Sequence, residues 1–312
     1  MSTLPEDLAA LRAGGKPALA RSLSALETDP ANPRLVALLD AAFRAPGGIV
    51  LGLTGPPGVG KSTLTNAMIA RLRARGERVG VIAVDPSSRR SGGALLGDRT
   101  RIETDPDDQG VFVRSMAARK RLGGLADLTY PAAVLMRALY DWVIVETVGV
   151  GQSETEIADC ADIVVFCAQP GSGDALQFMK AGVMEMPDIV LVTKGDMGAP
   201  ARRAAADVRG ALSLAAEDGP PAEVAILSAA TGEGIGEALD LIAARVPDGT
   251  AGAARHAARA RAWAESRLAE SFGSVGLLAL APRIDQYPTP FSAVVELTDA
   301  ARAAVQASLE NI

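Results

Sequence analysis

The sequence predicts an α/β fold: a mostly parallel sheet flanked by helices, with a helical segment before it and a helical extension after it. Three observations lead there. Seven short apolar runs alternate with helical stretches between residues 47 and 248, the order of an open α/β sheet. The runs are continuously apolar, as in parallel strands covered on both faces. The groups with unusual chemistry fall just after the runs, at the carboxyl ends of the strands, where such sheets bind ligands.

Taken in order, residues 4–45 are rich in Ala and Leu with Arg at intervals and are expected to be helical. "GGIVLGLTG" is a short buried strand ending in glycine, and "KSTLTNAMIARLRARG" is a helix stopped at Gly76. "RVGVIAVD" is a second strand, ending at Asp85. Pro86 to Thr104 has no clear period and is read as loop. "GVFVRSM" is the third strand, followed by a helix over 123–140. "DWVIVETVG", "DIVVFCAQPG", "PDIVLVTKG" and "AEVAILSAA" complete the sheet, with helices over 173–186, 200–217 and 234–246. Beyond about residue 250 the strand pattern stops. Residues 252–275 are expected to be helical, "PRIDQYPTPFS" to break the chain, and a last helix to lie near 298–310. This divides the chain into a helical segment over 1–46, an α/β domain over 47–248 and a helical extension over 249–312, a candidate dimerisation element.

Composition excludes several classes. The 312 residues are 48% hydrophobic and 22% charged, ordinary for a globular protein. No apolar stretch approaches the roughly 20 residues of a membrane span, and "MSTLPEDLAA" does not have the form of a signal peptide. A net charge of −6 argues against a general nucleic-acid binder. Two cysteines, Cys160 and Cys167, fit a reducing cytoplasm and core packing. The single histidine, His256, makes a zinc site improbable and is expected on the solvated surface. Only five basic residues are lysine, namely Lys16, Lys61, Lys120, Lys180 and Lys194, a mild hint that each supplies a compact ammonium.

"GPPGVGKS" carries Gly55, Pro56, Pro57, Gly58, Val59, Gly60, Lys61 and Ser62. It matches the phosphate-binding loop of a P-loop NTPase, in which backbone N–H groups wrap a phosphate, the lysine reaches the outer phosphates and the hydroxyl binds magnesium. It follows a strand and opens a helix, as that mechanism requires, with Thr63 next in the helix. "VIVETVGVGQSE" runs an apolar strand into Glu146, placed to hold magnesium. Gly149 would bring a backbone N–H near the terminal phosphate, and Gln152 or Glu154 could orient water. "AVDPSSRRSGGALLGDRTR" adds Asp85 and Asp98 as candidates for the magnesium shell, within a Gly-rich segment of the kind that switches. "QPGSGDALQFMKAG" places Asp174 and Lys180 near the same edge. The candidate catalytic set is Lys61, Glu146, Gln152 and Lys180.

The base would be read by "TKGD" and "SAA". Guanine offers N1–H and an amine to one carboxylate; Asp196 can accept both, and it rejects adenine. The Lys194 stem can cover the base, and a backbone N–H near Ala229, between Ser228 and Ala230, could meet the guanine carbonyl. The first residue of this motif is commonly Asn; here it is Thr193. Thr lacks the amide but keeps a hydroxyl, so guanine selectivity is expected to survive with weaker affinity.

The stretches "VDPSS…SGGALLGDR", "RSMAAR…LGGLA", "VETVGVGQSE" and "PGSGD" together resemble the methylmalonyl-CoA mutase-associated GTPases, the MeaB/ArgK family of P-loop G proteins, over about residues 48–245. The resemblance implies a GTP/GDP-binding, Mg2+-dependent GTPase that chaperones an adenosylcobalamin-dependent acyl-CoA mutase, gating cofactor loading and protecting the enzyme. It implies slow hydrolysis without the partner, switch loops over 86–101, 146–156 and 170–182, and a homodimer through C-terminal helices. Asp85, Asp98 and Glu146 would surround magnesium, and Asp174 and Lys180 would belong to the partner-responsive loop. The chain departs from the family pattern at Thr193, at Arg119–Arg121 and after residue 275. An ATP-dependent kinase and a nickel metallochaperone GTPase are the competing readings. Asp196 opposes the first, and the scarcity of His and Cys opposes the second.

Overall fold

The computed structural model describes residues 3–86, 102, 104–118, 126–147, 157–171, 187–215 and 222–310. Seven expected strands form one sheet: β1 (Ile49–Thr54), β2 (Val79–Pro86), β3 (Val111–Ala118), β4 (Trp142–Thr147), β5 (Ile163–Ala168), β6 (Ile189–Val192) and β7 (Glu223–Ile226). Their order is β3-β2-β4-β1-β5-β6-β7, and each neighbouring pair is parallel. Alternate residues of one strand enter different cores. Val143 and Val145 of β4 pack on one face, while Trp142 and Ile144 pack on the other. Burial on both faces is why these runs read as continuously apolar.

One face carries helix α4 (Lys61–Ala74) and α7 (Ile235–Arg245). Helix α6 (Ala199–Ala215) packs on the outer strands β5 to β7. The opposite face collects both ends of the chain. The N-terminal segment forms α1 (Leu8–Ala13), α2 (Gly15–Thr28) and α3 (Pro33–Arg44). Asp7 caps α1 by accepting from the Ala10 N–H at 2.7 Å, and Asn32 before Pro33 starts α3 with a cap and a proline in its first turn. These helices share a core with α5 (Ala126–Arg137), α8 (Gly249–Leu280) and α9 (Pro290–Glu310). At its centre the Trp263 and Phe291 rings meet at 4.7 Å, and Tyr130 stacks on Phe291 at 6.1 Å. Full burial of a side chain such as Phe291 contributes about 1.5–3 kcal/mol.

Two expectations for this face are corrected. The last helix begins at Pro290, well before residue 298. Thr289 accepts from the Ser292 N–H at 3.4 Å and its carbonyl from the Ala293 N–H at 3.0 Å, so Thr-Pro acts as cap and first residue of a helix rather than as a break. His256 is half-buried rather than solvated. Its ring stacks on Phe43 at 4.4 Å and its Nε2 lies 3.3 Å from the Phe43 carbonyl. Burial, with the nearby Arg137 guanidinium, holds its pKa below the usual histidine range. Cys160 and Cys167 are both buried and outside any disulfide, in keeping with the expected core packing.

A charged cluster ties α8 to the start of β5. Asp162 is buried and meets Arg137 of α5 at 3.1 Å and Arg259 of α8. It also accepts from the Val50 N–H at 2.9 Å, and Arg259 donates to the Ala161 carbonyl at 2.6 Å. Two arginines and a backbone amide thus satisfy one carboxylate, the condition under which a buried charge is tolerated.

Candidate functional site

Strand β1 lies centrally in the sheet, between β4 and β5, and the chain from Gly55 to Gly60 turns from it into α4. Gly55 has φ 139°, and a Cβ there would lie 2.5 Å from the Cys167 carbonyl oxygen. Only glycine fits this crossing over β5. Gly60 has φ 97° and precedes α4 without a side-chain cap, so the first N–H groups of a fourteen-residue helix face the loop. Val59 is fully buried and anchors the loop in the core beneath it. Pro57, Gly58 and Thr63 are exposed, while Pro56 is buried.

Lys61 is buried, and its ammonium donates to the loop's own carbonyls, Gly55 at 2.5 Å and Pro56 at 3.2 Å. Glu146, at the end of β4, is buried beside it. Ser62 donates to Glu146 Oε1 at 2.6 Å and Thr65 to Oε2 at 2.8 Å. These are hard oxygen donors of the type magnesium prefers. Ser62 can keep donating its proton to Glu146 while a lone pair faces a cation, so the pair fits the expected metal. No cluster of three or more His, Cys, Asp or Glu able to hold a metal occurs among the described residues. The Cys167 thiol beneath the loop is pushed up to about 12 by burial, partly opposed by the Lys61 charge.

At the next strand ends, β6 and β7 meet through paired loops. The Gly195 N–H donates to the Leu227 carbonyl at 2.8 Å. Ser228 is buried, and its hydroxyl donates to Asp196 Oδ1 at 2.6 Å. That bond fixes an exposed carboxylate and leaves its remaining lone pairs outward. Ala229 and Ala230 lie in the turn after it, closed by the Gly232 N–H on the Ser228 carbonyl at 2.9 Å. Thr193 is buried, with its hydroxyl oxygen 2.8 Å from the Val59 carbonyl and 3.0 Å from that of Ala168. It therefore braces the phosphate loop against β5. Lys194 stands at φ 57°, the one non-glycine residue with positive φ among the described residues. Its ammonium donates to Gln169 Oε1 at 2.5 Å and lies 3.4 Å from the Gly58 carbonyl.

The fold thus brings together Gly55 to Ser62, Glu146, Thr193, Lys194, Asp196 and Ser228 at one sheet edge. Asp85 ends β2 opposite Ala117; its side chain lies outside the described residues. So do Asp98, Gly149, Gln152, Asp174 and Lys180. The sequence reading passed over two side chains here. Thr65 comes three positions after Ser62, so both project from one side of α4 toward Glu146, and that spacing could have revealed it. Gln169 carried no motif; only its place at the end of β5 pointed to it.

Comparison with known proteins bears on the family and the fold. The family model described as methylmalonyl Co-A mutase-associated GTPase MeaB matches residues 19–273. The Escherichia coli protein named GTPase ArgK is 41% identical over 62% of this chain and 60% of its own length. The Mus musculus protein named methylmalonic aciduria type A homolog, mitochondrial, is 44% identical over 61% of this chain and 47% of its own. The chain spans about half to three fifths of the length of these curated relatives. A crystal structure described as an LAO/AO transport system kinase superposes with a TM-score of 0.63 at 27% identity, covering 95% of this chain and 96% of that one. With its phosphate loop, its parallel sheet and a match over most of its length, the chain belongs to the methylmalonyl Co-A mutase-associated GTPase MeaB family.

Proposed function

We propose that the chain binds GTP with Mg2+ at this edge, hydrolyses it slowly to GDP and phosphate, and thereby serves an adenosylcobalamin-dependent acyl-CoA mutase in cofactor loading and protection. The observation that carries the nucleotide reading is Asp196 held by Ser228 beside Lys194, one loop away from Lys61 and Glu146. The Asp196 carboxylate accepts from N1–H and the exocyclic amine of guanine, while the Lys194 stem covers the base. The α4 N-terminus and Lys61 receive the phosphates, whose oxygens replace the Gly55 and Pro56 carbonyls as partners of the ammonium. Ser62 and Glu146, with Asp85 and Asp98 as further candidates, would hold magnesium, which when bound neutralises charge on the β- and γ-phosphate oxygens. Water attacks the γ-phosphorus, its bond to the bridging oxygen breaks, and GDP leaves. Slow turnover by the chain alone is part of the same proposal, with Gln152 and Lys180 proposed to contribute when the partner engages.

The mutase role is supported by family membership. A homodimer through the C-terminal helices is part of the same proposal, supported by Val275 and Leu278, which are 80% and 79% exposed on α8. Free buried thiols support a cytoplasmic setting, and no helix among the described residues is long and apolar enough to cross a membrane. The test measures GTP and ATP binding by calorimetry, then GTP turnover with and without a purified adenosylcobalamin-dependent mutase. Guanine preference and faster turnover with the mutase are expected. Tight ATP binding without GTP preference would favour the kinase reading that the similar solved structure's description suggests, and unchanged turnover would overturn the mutase role.

A further inference from the structure

We infer that Gln169 is a positioning residue for guanine-nucleotide affinity: its side-chain amide oxygen holds the Lys194 ammonium so that the lysine stem is set over the base site before the nucleotide arrives. The inference rests on reading that site as one for a guanine nucleotide. Three observations converge on it. The Lys194 Nζ to Gln169 Oε1 contact is 2.5 Å, against 3.4 Å to the Gly58 carbonyl, so Gln169 is the nearer anchor. The Lys194 backbone sits at φ 57° and ψ 40°, a left-handed conformation that L residues other than Asn and Asp seldom adopt. A lysine kept there is kept for its side chain. The two residues also directly follow Ala168 and Thr193, which are already joined, because the Thr193 N–H donates to the Ala168 carbonyl at 2.8 Å.

A free lysine side chain loses much rotamer freedom on ordering. Gln169 takes that loss in the folded chain, so nucleotide binding does not bear it. The partner's chemistry matters as well. Gln169 is neutral and accepts the ammonium's hydrogen bond without cancelling its charge, which keeps the edge positive toward a phosphate-bearing ligand. Because the contact concerns the base and not the γ-phosphate, GDP and GTP should feel its loss equally.

Fluorescent GDP and GTP are titrated into the full chain as wild type, Gln169→Leu, Gln169→Glu, Lys194→Met and the Gln169→Leu/Lys194→Met double variant. Gln169→Leu is expected to weaken both nucleotides by the same factor, about five- to tenfold, the scale of one ordinary hydrogen bond on a solvent-exposed side chain. Gln169→Glu, which keeps the acceptor but cancels the ammonium's charge, should fall between wild type and Gln169→Leu. In the Lys194→Met background Gln169→Leu should add less than about twofold, since the cycle removes the shared contact. In GTP turnover the loss should appear in KM rather than kcat. If Gln169→Leu does not fold, Gln169→Ala carries the same expectations. Wild-type affinity in the Leu variant, or an equal loss with and without Lys194, overturns the inference. A wild-type chain that binds neither guanine nucleotide overturns the site reading, and this inference with it.

Discussion

Thr193→Val keeps the shape of a buried side chain and deletes only its hydroxyl. A hydroxyl has one proton and serves one carbonyl at a time. Of its two neighbours, the Ala168 carbonyl already accepts from the Thr193 N–H at 2.8 Å, so the 2.8 Å contact to the Val59 carbonyl is the one that counts. Val59 is fully buried, and without the hydroxyl its carbonyl loses this donor. An orphaned buried acceptor costs about 1–3 kcal/mol. Urea denaturation should therefore show unfolding free energy lower by about 1–2 kcal/mol at an unchanged m-value. Calorimetry should show GTP bound about three- to tenfold more weakly, because a loosened phosphate loop must be ordered when the ligand arrives. Thr193→Asn runs the other way. Its amide has two N–H protons and can serve Val59 and Ala168 together, so GTP should bind about three- to tenfold more tightly. The GTP-to-ATP ratio should not change, since the carboxylate of Asp196 does the discriminating. A valine variant as stable and as tight as wild type would refute the brace. An asparagine variant with a new base preference would refute the assignment of base reading to Asp196.

The other predictions concern separate parts of the molecule. Asp196→Ala should lower GTP affinity by about a hundredfold or more, with ATP binding little changed, because guanine's two donors lose their acceptor; competition between the labelled nucleotides checks it. Asp162→Ala leaves two part-buried guanidiniums without their carboxylate and should cost about 2–4 kcal/mol in chemical denaturation, whereas Arg259→Met, which keeps the Arg137 pair, should cost less. His256 has a folded pKa below its unfolded value of about 6.5, so the unfolded chain takes the proton first. Its contribution to stability is complete above about pH 6.5 and is lost as the pH falls through the window beneath that value, with a slope of at most about 1.4 kcal/mol per pH unit. As the only histidine, it should own most of the slope between about pH 5 and 6.5, and His256→Phe, which can keep the stack on Phe43, should flatten the unfolding curve there.

What could be read in the sequence divides along physical lines. The strands were legible because burial on both faces writes a continuous apolar run into each, and Gly55 was legible because only glycine survives 2.5 Å from a carbonyl. Asp196 was legible as a candidate because a guanine reader needs a carboxylate. Partners set by tertiary packing were not. Phe43 lies 213 positions from the His256 it buries. Thr289-Pro290 was ambiguous in kind: such a pair can end one helix or begin another, and the packing of the residues after it decides. Thr193 lay between these cases. Its motif position made it a candidate for the base site, but the fold alone showed that its hydroxyl reaches the loop carbonyl of Val59.

Strand β5 joins the two features that the sequence left unannounced. Asp162, immediately before it, anchors α8 through Arg259, and Gln169, immediately after it, holds Lys194. Six residues separate these anchors, about 20 Å of extended chain. Proximity along one strand does not make them coupled. β5 is paired with β1 on one side and β6 on the other, and its side chains are buried throughout. Such a strand has one arrangement, and coupling between sites needs an element with two. The loss in Asp162→Ala should therefore appear in the denaturation midpoint, while GTP affinity measured on the folded fraction stays within about twofold of wild type. A large affinity change there would mean that the sheet shifts as a body when its helical face is loosened, and that the helical extension takes part in nucleotide binding rather than only covering the core.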